Sequence, residues 1–114
     1  MTNNVLIVDD SQPMRELIKL TLIGVAEVVG ECSDGAEAVS EYKRLRPDWV
    51  LMDYAMPGMD GLTATRQIIT LDSKARILLV TQHDDEEIRQ AAGEAGALMV
   101  LLKENLFTIP SKLI

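Results

Sequence analysis

Five short apolar runs alternate with stretches of helical period along the whole chain, and nothing else in the sequence constrains the fold as strongly. The predicted strands are Asn4–Asp9, Ala26–Glu31, Trp49–Asp53, Arg76–Thr81 and Leu98–Leu102. Runs such as Val5-Leu6-Ile7-Val8 are continuous rather than alternating, the pattern of strands covered on both faces. Strands of this kind interleaved with helices imply βαβ units and a parallel sheet. Right-handed crossovers then lead to an α/β, doubly wound, five-stranded sandwich with helices on both faces.

The helical stretches are amphipathic. The first places Met14, Leu17, Ile18, Thr21 and Leu22 on one face, with Ser11 as N-cap and Pro13 in the first turn. The second carries Ala38, Val39, Tyr42 and Leu45 and is entered through Ser33-Asp34-Gly35. The third follows Gly61 with Leu62, Thr65, Ile68 and Ile69. The fourth has Ile88, Ala91, Ala92 and Ala95, is capped by Asp84 or Asp85, and stops at Gly96.

The last stretch, Glu104 to Ile114, predicts the opening of a fifth helix at Thr108 or Ile109, with Pro110 in its first turn. About one turn then remains, and the apolar pair Leu113-Ile114 reads as the start of a longer helix. Residues 1–114 are therefore expected to form one domain, a fragment of a longer protein.

Composition agrees with one domain: 114 residues, 47% of them hydrophobic, can enclose a single core. The only aromatics are Tyr42, Trp49, Tyr54 and Phe107, so aliphatic side chains, methionine and alanine must fill that core. The net charge of −7, without a basic stripe, makes the stretch by itself a poor nucleic-acid binder. Cys32 is the single cysteine, so no internal disulfide can form and a reducing, cytoplasmic setting is expected. Asp9-Asp10 interrupt the N-terminal apolar run, and no stretch has membrane-spanning length.

Chemistry is expected where the strands end. Asp53 closes the Trp49-Val50-Leu51-Met52 run and precedes a turn-rich Met56-Pro57-Gly58-Met59-Asp60-Gly61 loop. Asp9 and Asp10 close the first run in the same way. In an open α/β sheet, ligands bind at the carboxyl ends of the strands. A single aspartate there is more often only a helix cap. Three carboxylates at one rim repel one another, and a hard divalent cation relieves the repulsion. Lys103 follows the fifth strand, and Thr81 ends the fourth, so a cation and a hydroxyl fall at the same rim.

These residues resemble a known family. Val-Asp-Asp-Ser at 8–11, Met-Asp-Tyr-Ala-Met-Pro-Gly-Met-Asp-Gly at 52–61, Leu-Val-Thr at 79–81 and Leu-Leu-Lys at 101–103 are similar to the receiver domain of bacterial two-component response regulators. The resemblance implies strand order 2-1-3-4-5 and a phosphorelay function. It makes Asp53 the acceptor of a phosphoryl group from a sensor histidine kinase or from acetyl phosphate. Asp10 and Asp53, Asp9 through water, and the backbone carbonyl of Ala55 would hold Mg²⁺ or Mn²⁺. Lys103 would pair with the phosphoryl oxygens, and Thr81 would turn inward to bond them. The face formed by helix 4, strand 5 and helix 5 would switch. A second copy of the chain is a further partner on phosphorylation. DNA is reached only through an output domain beyond this chain.

The sequence departs from the family at three places. Val100 stands where many receivers have an aromatic residue three before the lysine, and Glu104 where proline is common. Gln82 replaces the usual small residue after the threonine. Ala55, which with His83 flanks the expected route of an attacking water, offers no side chain to orient it, so slow self-dephosphorylation is expected. Glu104, the 82–85 segment and the 60–66 segment resemble the branch that fuses receivers to LuxR-type helix-turn-helix domains. Two rival readings are a phosphohydrolase with an aspartyl-phosphate intermediate and a receiver-like interaction module that is never phosphorylated. Ala55 counts against the first, because such an enzyme carries a second acid there.

Overall fold

A computed structural model describes residues 3–113. In chain order the elements are β1 (Asn3–Val8), α1 (Gln12–Leu22), β2 (Ala26–Cys32), α2 (Gly35–Leu45), β3 (Trp49–Asp53), α3 (Gly61–Leu71), β4 (Ile77–Thr81), α4 (Glu86–Ala95), β5 (Met99–Leu102), a 3-10 segment (Lys103–Thr108) and α5 (Ile109–Lys112). All strand pairs are parallel, in the order β2-β1-β3-β4-β5. The expected α/β sandwich is present, with strand boundaries within a residue of those read from the sequence.

Alternate residues of the central strands feed two separate cores. Leu6, Val8, Met52 and Leu79 face Ala38 and Tyr42 of α2, Ala64 and Ile68 of α3, and Ala92 of α4. Val5, Ile7, Leu51, Leu78 and Val80 face Ile18 and Leu22 of α1 together with Leu106, Ile109 and Leu113. Each fully buried aliphatic side chain contributes about 1.5–3 kcal/mol relative to exposure. The reading of strands as covered on both faces holds for β3 and β4, buried at every position, and for the last four residues of β1. It fails for β2 and β5, which lie at the sheet edges and are half-exposed along most of their length.

Side-chain caps set the helix starts. Ser11, Asp34, Asp60 and Asp85 accept hydrogen bonds from the backbone N–H groups of Met14, Glu37, Thr63 and Ile88. Of the two candidates before α4, Asp85 is the cap, while Asp84 forms a two-point contact with Arg89. Gly96 ends α4 with φ of 100°, a left-handed turn that costs glycine little. Leu17 departs from the expected buried face of α1: it is 46% exposed, and the stripe facing the core is Ile18 and Leu22. The predicted fifth helix begins at Ile109 with Pro110 in its first turn. The 3-10 segment before it, kinked at Asn105, carried no periodic signal. Ile114, half of the expected apolar end, lies outside the described residues.

Candidate functional site

Strand register assembles the rim. Val8 pairs with Met52, so Asp9 and Asp53 follow side by side. Asp53 pairs with Val80, which puts Thr81 one residue beyond it. Thr81 pairs with Leu102, which puts Lys103 one residue beyond that. One carboxylate oxygen each from Asp9, Asp10 and Asp53 lies within 4.8 Å of the others. The Lys103 Nζ stands 3.2 Å from Asp53 Oδ1 and 3.5 Å from Asp9 Oδ2. The five side chains singled out from the sequence therefore meet in one place, and Ala55 lines the same opening.

The acids differ in their surroundings. Asp9 and Asp53 are buried, and Asp10 is exposed at the mouth. Burial pushes the Asp53 carboxyl up to about 6, and the neighbouring Asp9 charge adds to this against the opposing pull of Lys103. For Lys103, burial works against the charge, but the attraction of Asp53 and Asp9 outweighs it and holds the ammonium above its ordinary value. Asp9 Oδ1 accepts the Ser11 N–H at 2.9 Å. The second oxygens of Asp9 and Asp53 are buried without a hydrogen-bond partner among the described residues, Asp9 Oδ2 having only its longer ion pair with Lys103. Unsatisfied buried carboxylate oxygens are costly. An all-oxygen set with two such atoms fits a hard divalent cation, which takes few protein ligands and keeps water or phosphoryl oxygens for the rest.

Thr81 is buried and does not yet face the acids with a free hydroxyl. Its Oγ donates to the His83 carbonyl at 3.1 Å and accepts the His83 N–H at 3.2 Å. A cleft of about 400 Å³ opens above the acids, walled by Tyr54 and Ala55 on one side and by Gln82, His83 and Ile88 on the other.

Two residues that position the site carried little signal in the sequence. Gly61 begins α3 and packs so closely on β3 that a Cβ there would lie 2.1 Å from the Asp53 carbonyl oxygen. Its N–H donates to the Tyr54 carbonyl at 2.9 Å, closing the loop after Asp53. The Asp60-Gly61 pair could have been read as a close approach, but only as a turn did it stand out. Arg15 had no signal at all: it looks like a solvent-facing helix residue, yet it reaches back to the Asp9 backbone.

A five-stranded parallel sheet in this order, with an acidic triad and a lysine at its carboxyl edge, defines a signalling receiver. The chain belongs to the response regulator receiver domain family, which matches it over residues 5–109. It is 41% identical over 104 residues to the chemotaxis protein CheY of Bacillus subtilis, covering 90% of this chain and 87% of that protein. The receiver domain of the response regulator NarL from Mycobacterium tuberculosis superposes with a TM-score of 0.90 at 36% identity, covering 97% of this chain and 91% of that one. A LuxR-family two-component response regulator from Aurantimonas gives 0.88 at 35% identity, covering 99% and 86%. The likeness to LuxR-family receivers supports the branch read from the sequence. The family is a signalling module of two-component systems, not a turnover enzyme. Among the described residues, no helix is long and apolar enough to cross a membrane.

Proposed function

We propose that the chain is a cytoplasmic phosphorelay switch in which Asp53 accepts a phosphoryl group. The carrying observation is the meeting of three carboxylates and Lys103 at one rim, with a buried oxygen each of Asp9 and Asp53 lacking a hydrogen-bond partner among the described residues. A carboxylate oxygen of Asp53 attacks phosphorus and forms the new O–P bond. The bond from phosphorus to the donor histidine nitrogen breaks, and that nitrogen keeps the electron pair and takes up a proton from solvent. Such transfer depends mainly on positioning and charge neutralisation. Asp10 and Asp53, Asp9 through water, and the Ala55 carbonyl would hold Mg²⁺ or Mn²⁺, which when bound neutralises phosphoryl charge. Lys103 supplies the second cation. Thr81 exchanges its bonds to the His83 backbone for one to the phosphoryl group, shifting the start of the 82–85 loop. That movement biases the face of α4, β5 and α5.

The donor is a sensor histidine kinase. Residues 1–114 act as the receiver of a longer protein whose output domain makes any DNA contact, with pairing of two copies on phosphorylation as a further step. Incubation with acetyl phosphate and Mg²⁺ should add about 80 Da to the intact mass, one phosphoryl group, and Asp53→Ala should abolish the gain. No gain in the parent protein would favour the interaction module that is never phosphorylated. The phosphorylated form should be long-lived because Ala55 cannot orient water. Ala55→Asn is expected to shorten its lifetime, and a longer lifetime in that variant contradicts the assignment.

A further inference from the structure

We propose that Arg15 is a positioning residue for the cation site, holding the peptide that joins Asp9 to Asp10. The proposal rests on the reading that Asp9 and Asp10 serve a divalent cation. Arg15 lies in the first turns of α1 with a side chain only 16% exposed. Its Nη1 donates to the Asp9 carbonyl oxygen at 2.5 Å, and its Nε donates to Glu31 Oε1 on β2 at 3.1 Å. The other oxygen of Glu31 accepts from Lys19 Nζ at 3.0 Å, so the carboxylate that anchors Arg15 is itself held. On the opposite side, the Asp9 N–H donates to the Cys32 carbonyl at 3.0 Å. Both backbone groups of Asp9 are thereby tied to the end of β2, one directly and one through the guanidinium.

The tie matters for Asp10. A planar trans peptide has its carbonyl and N–H on opposite sides, so fixing the Asp9 carbonyl fixes the direction of the Asp10 N–H. That in turn sets where the Asp10 side chain leaves the backbone. Asp10 is exposed at the mouth of the cleft, so the backbone direction largely decides where its carboxylate stands. A guanidinium suits the task because its donors stand in a rigid fork and can serve a carbonyl and a carboxylate at once. An ammonium on a flexible stem can serve one well.

Two physical effects predict opposite signs. Arg15 is a cation near the site, and on charge alone its removal would tighten the binding of a second cation. Positioning predicts that removal loosens it. Outer-shell partners of metal ligands typically contribute tenfold or more to affinity.

The test is calorimetric titration of the purified chain with MgCl₂, accompanied by metal-free thermal melts. Arg15→Gln is expected to weaken Mg²⁺ binding by about tenfold while remaining folded. Arg15→Lys, which keeps the charge, should recover only part of the loss, and Glu31→Gln should cause a smaller loss than Arg15→Gln. Unchanged or tighter Mg²⁺ binding by Arg15→Gln overturns the proposal, as does full recovery by Arg15→Lys. Should Arg15→Gln fail to fold, Glu31→Gln decides, since an unchanged affinity there removes the anchoring path. A parent protein that binds no Mg²⁺ overturns the metal reading, and this proposal with it.

Discussion

Asp53 sits where one charge counts for stability as well as for chemistry. Its folded value of about 6 lies above the ordinary 3.8, so the folded protein binds more protons than the unfolded chain between those values. Stability contributed by this residue therefore falls as pH rises from about 4 to about 6, and the penalty persists above that. Asp53→Asn removes the charge with little change of shape. Without divalent metal, the variant should match the parent near pH 4 and exceed it at pH 7.5 by about 1–2 kcal/mol, a shift of this size discounted for solvent at the mouth of the cleft. Urea denaturation at the two pH values checks this, and an equal difference at both would refute the charge explanation. The place of Asp53 was legible because an apolar run announces a buried strand and the loop announces its end. The roles of Gly61 and Arg15 were not, because each depends on a contact between elements that only the fold brings together rather than on local pattern.

Elements were legible to the extent that they are periodic. The central strands and the cores of α1 to α4 followed from apolar spacing, whereas the 3-10 segment over Lys103–Thr108 has no spacing to read. Leu17 shows the limit of a helical wheel: an apolar residue one position off the buried stripe meets solvent when no neighbouring element covers that side. Cap assignment was ambiguous for the same reason, since adjacent aspartates differ only in backbone geometry. The structure separates them, and so should mutation. Asp85→Ala removes the bond to the Ile88 N–H and should lower stability by about 1 kcal/mol. Asp84→Ala loses an exposed ion pair with Arg89 and should cost a few tenths of a kcal/mol at most. Thermal melts of the two variants distinguish the roles, and an equal loss would mean that the capping position is shared.

For the whole molecule, the sheet separates two cores that meet only through the strands, and the acidic rim sits at the end of the central three. Unrelieved repulsion at that rim is part of the metal-free protein's free energy. A cation that binds only the folded form adds stability by mass action, about 2.7 kcal/mol at a hundredfold excess over its dissociation constant. Mg²⁺ should therefore raise the melting temperature by several degrees at pH 7.5. Asp10→Asn should abolish most of the rise without lowering the metal-free value. A similar rise in that variant would place the ion elsewhere.

Lys103 reaches Asp53 from the far side of β4, because β4 lies between the strand that carries the aspartate and the strand that precedes the lysine. The ion pair thus arches over Thr81 and ties the outermost strand to the middle of the sheet. β5 is also the shortest strand, with a neighbour on one side only. Its hold on the sheet depends partly on a charge two strands away. Adding negative charge at the centre would draw that tether tighter, so chemistry at the rim and tension at the margin become one mechanical event.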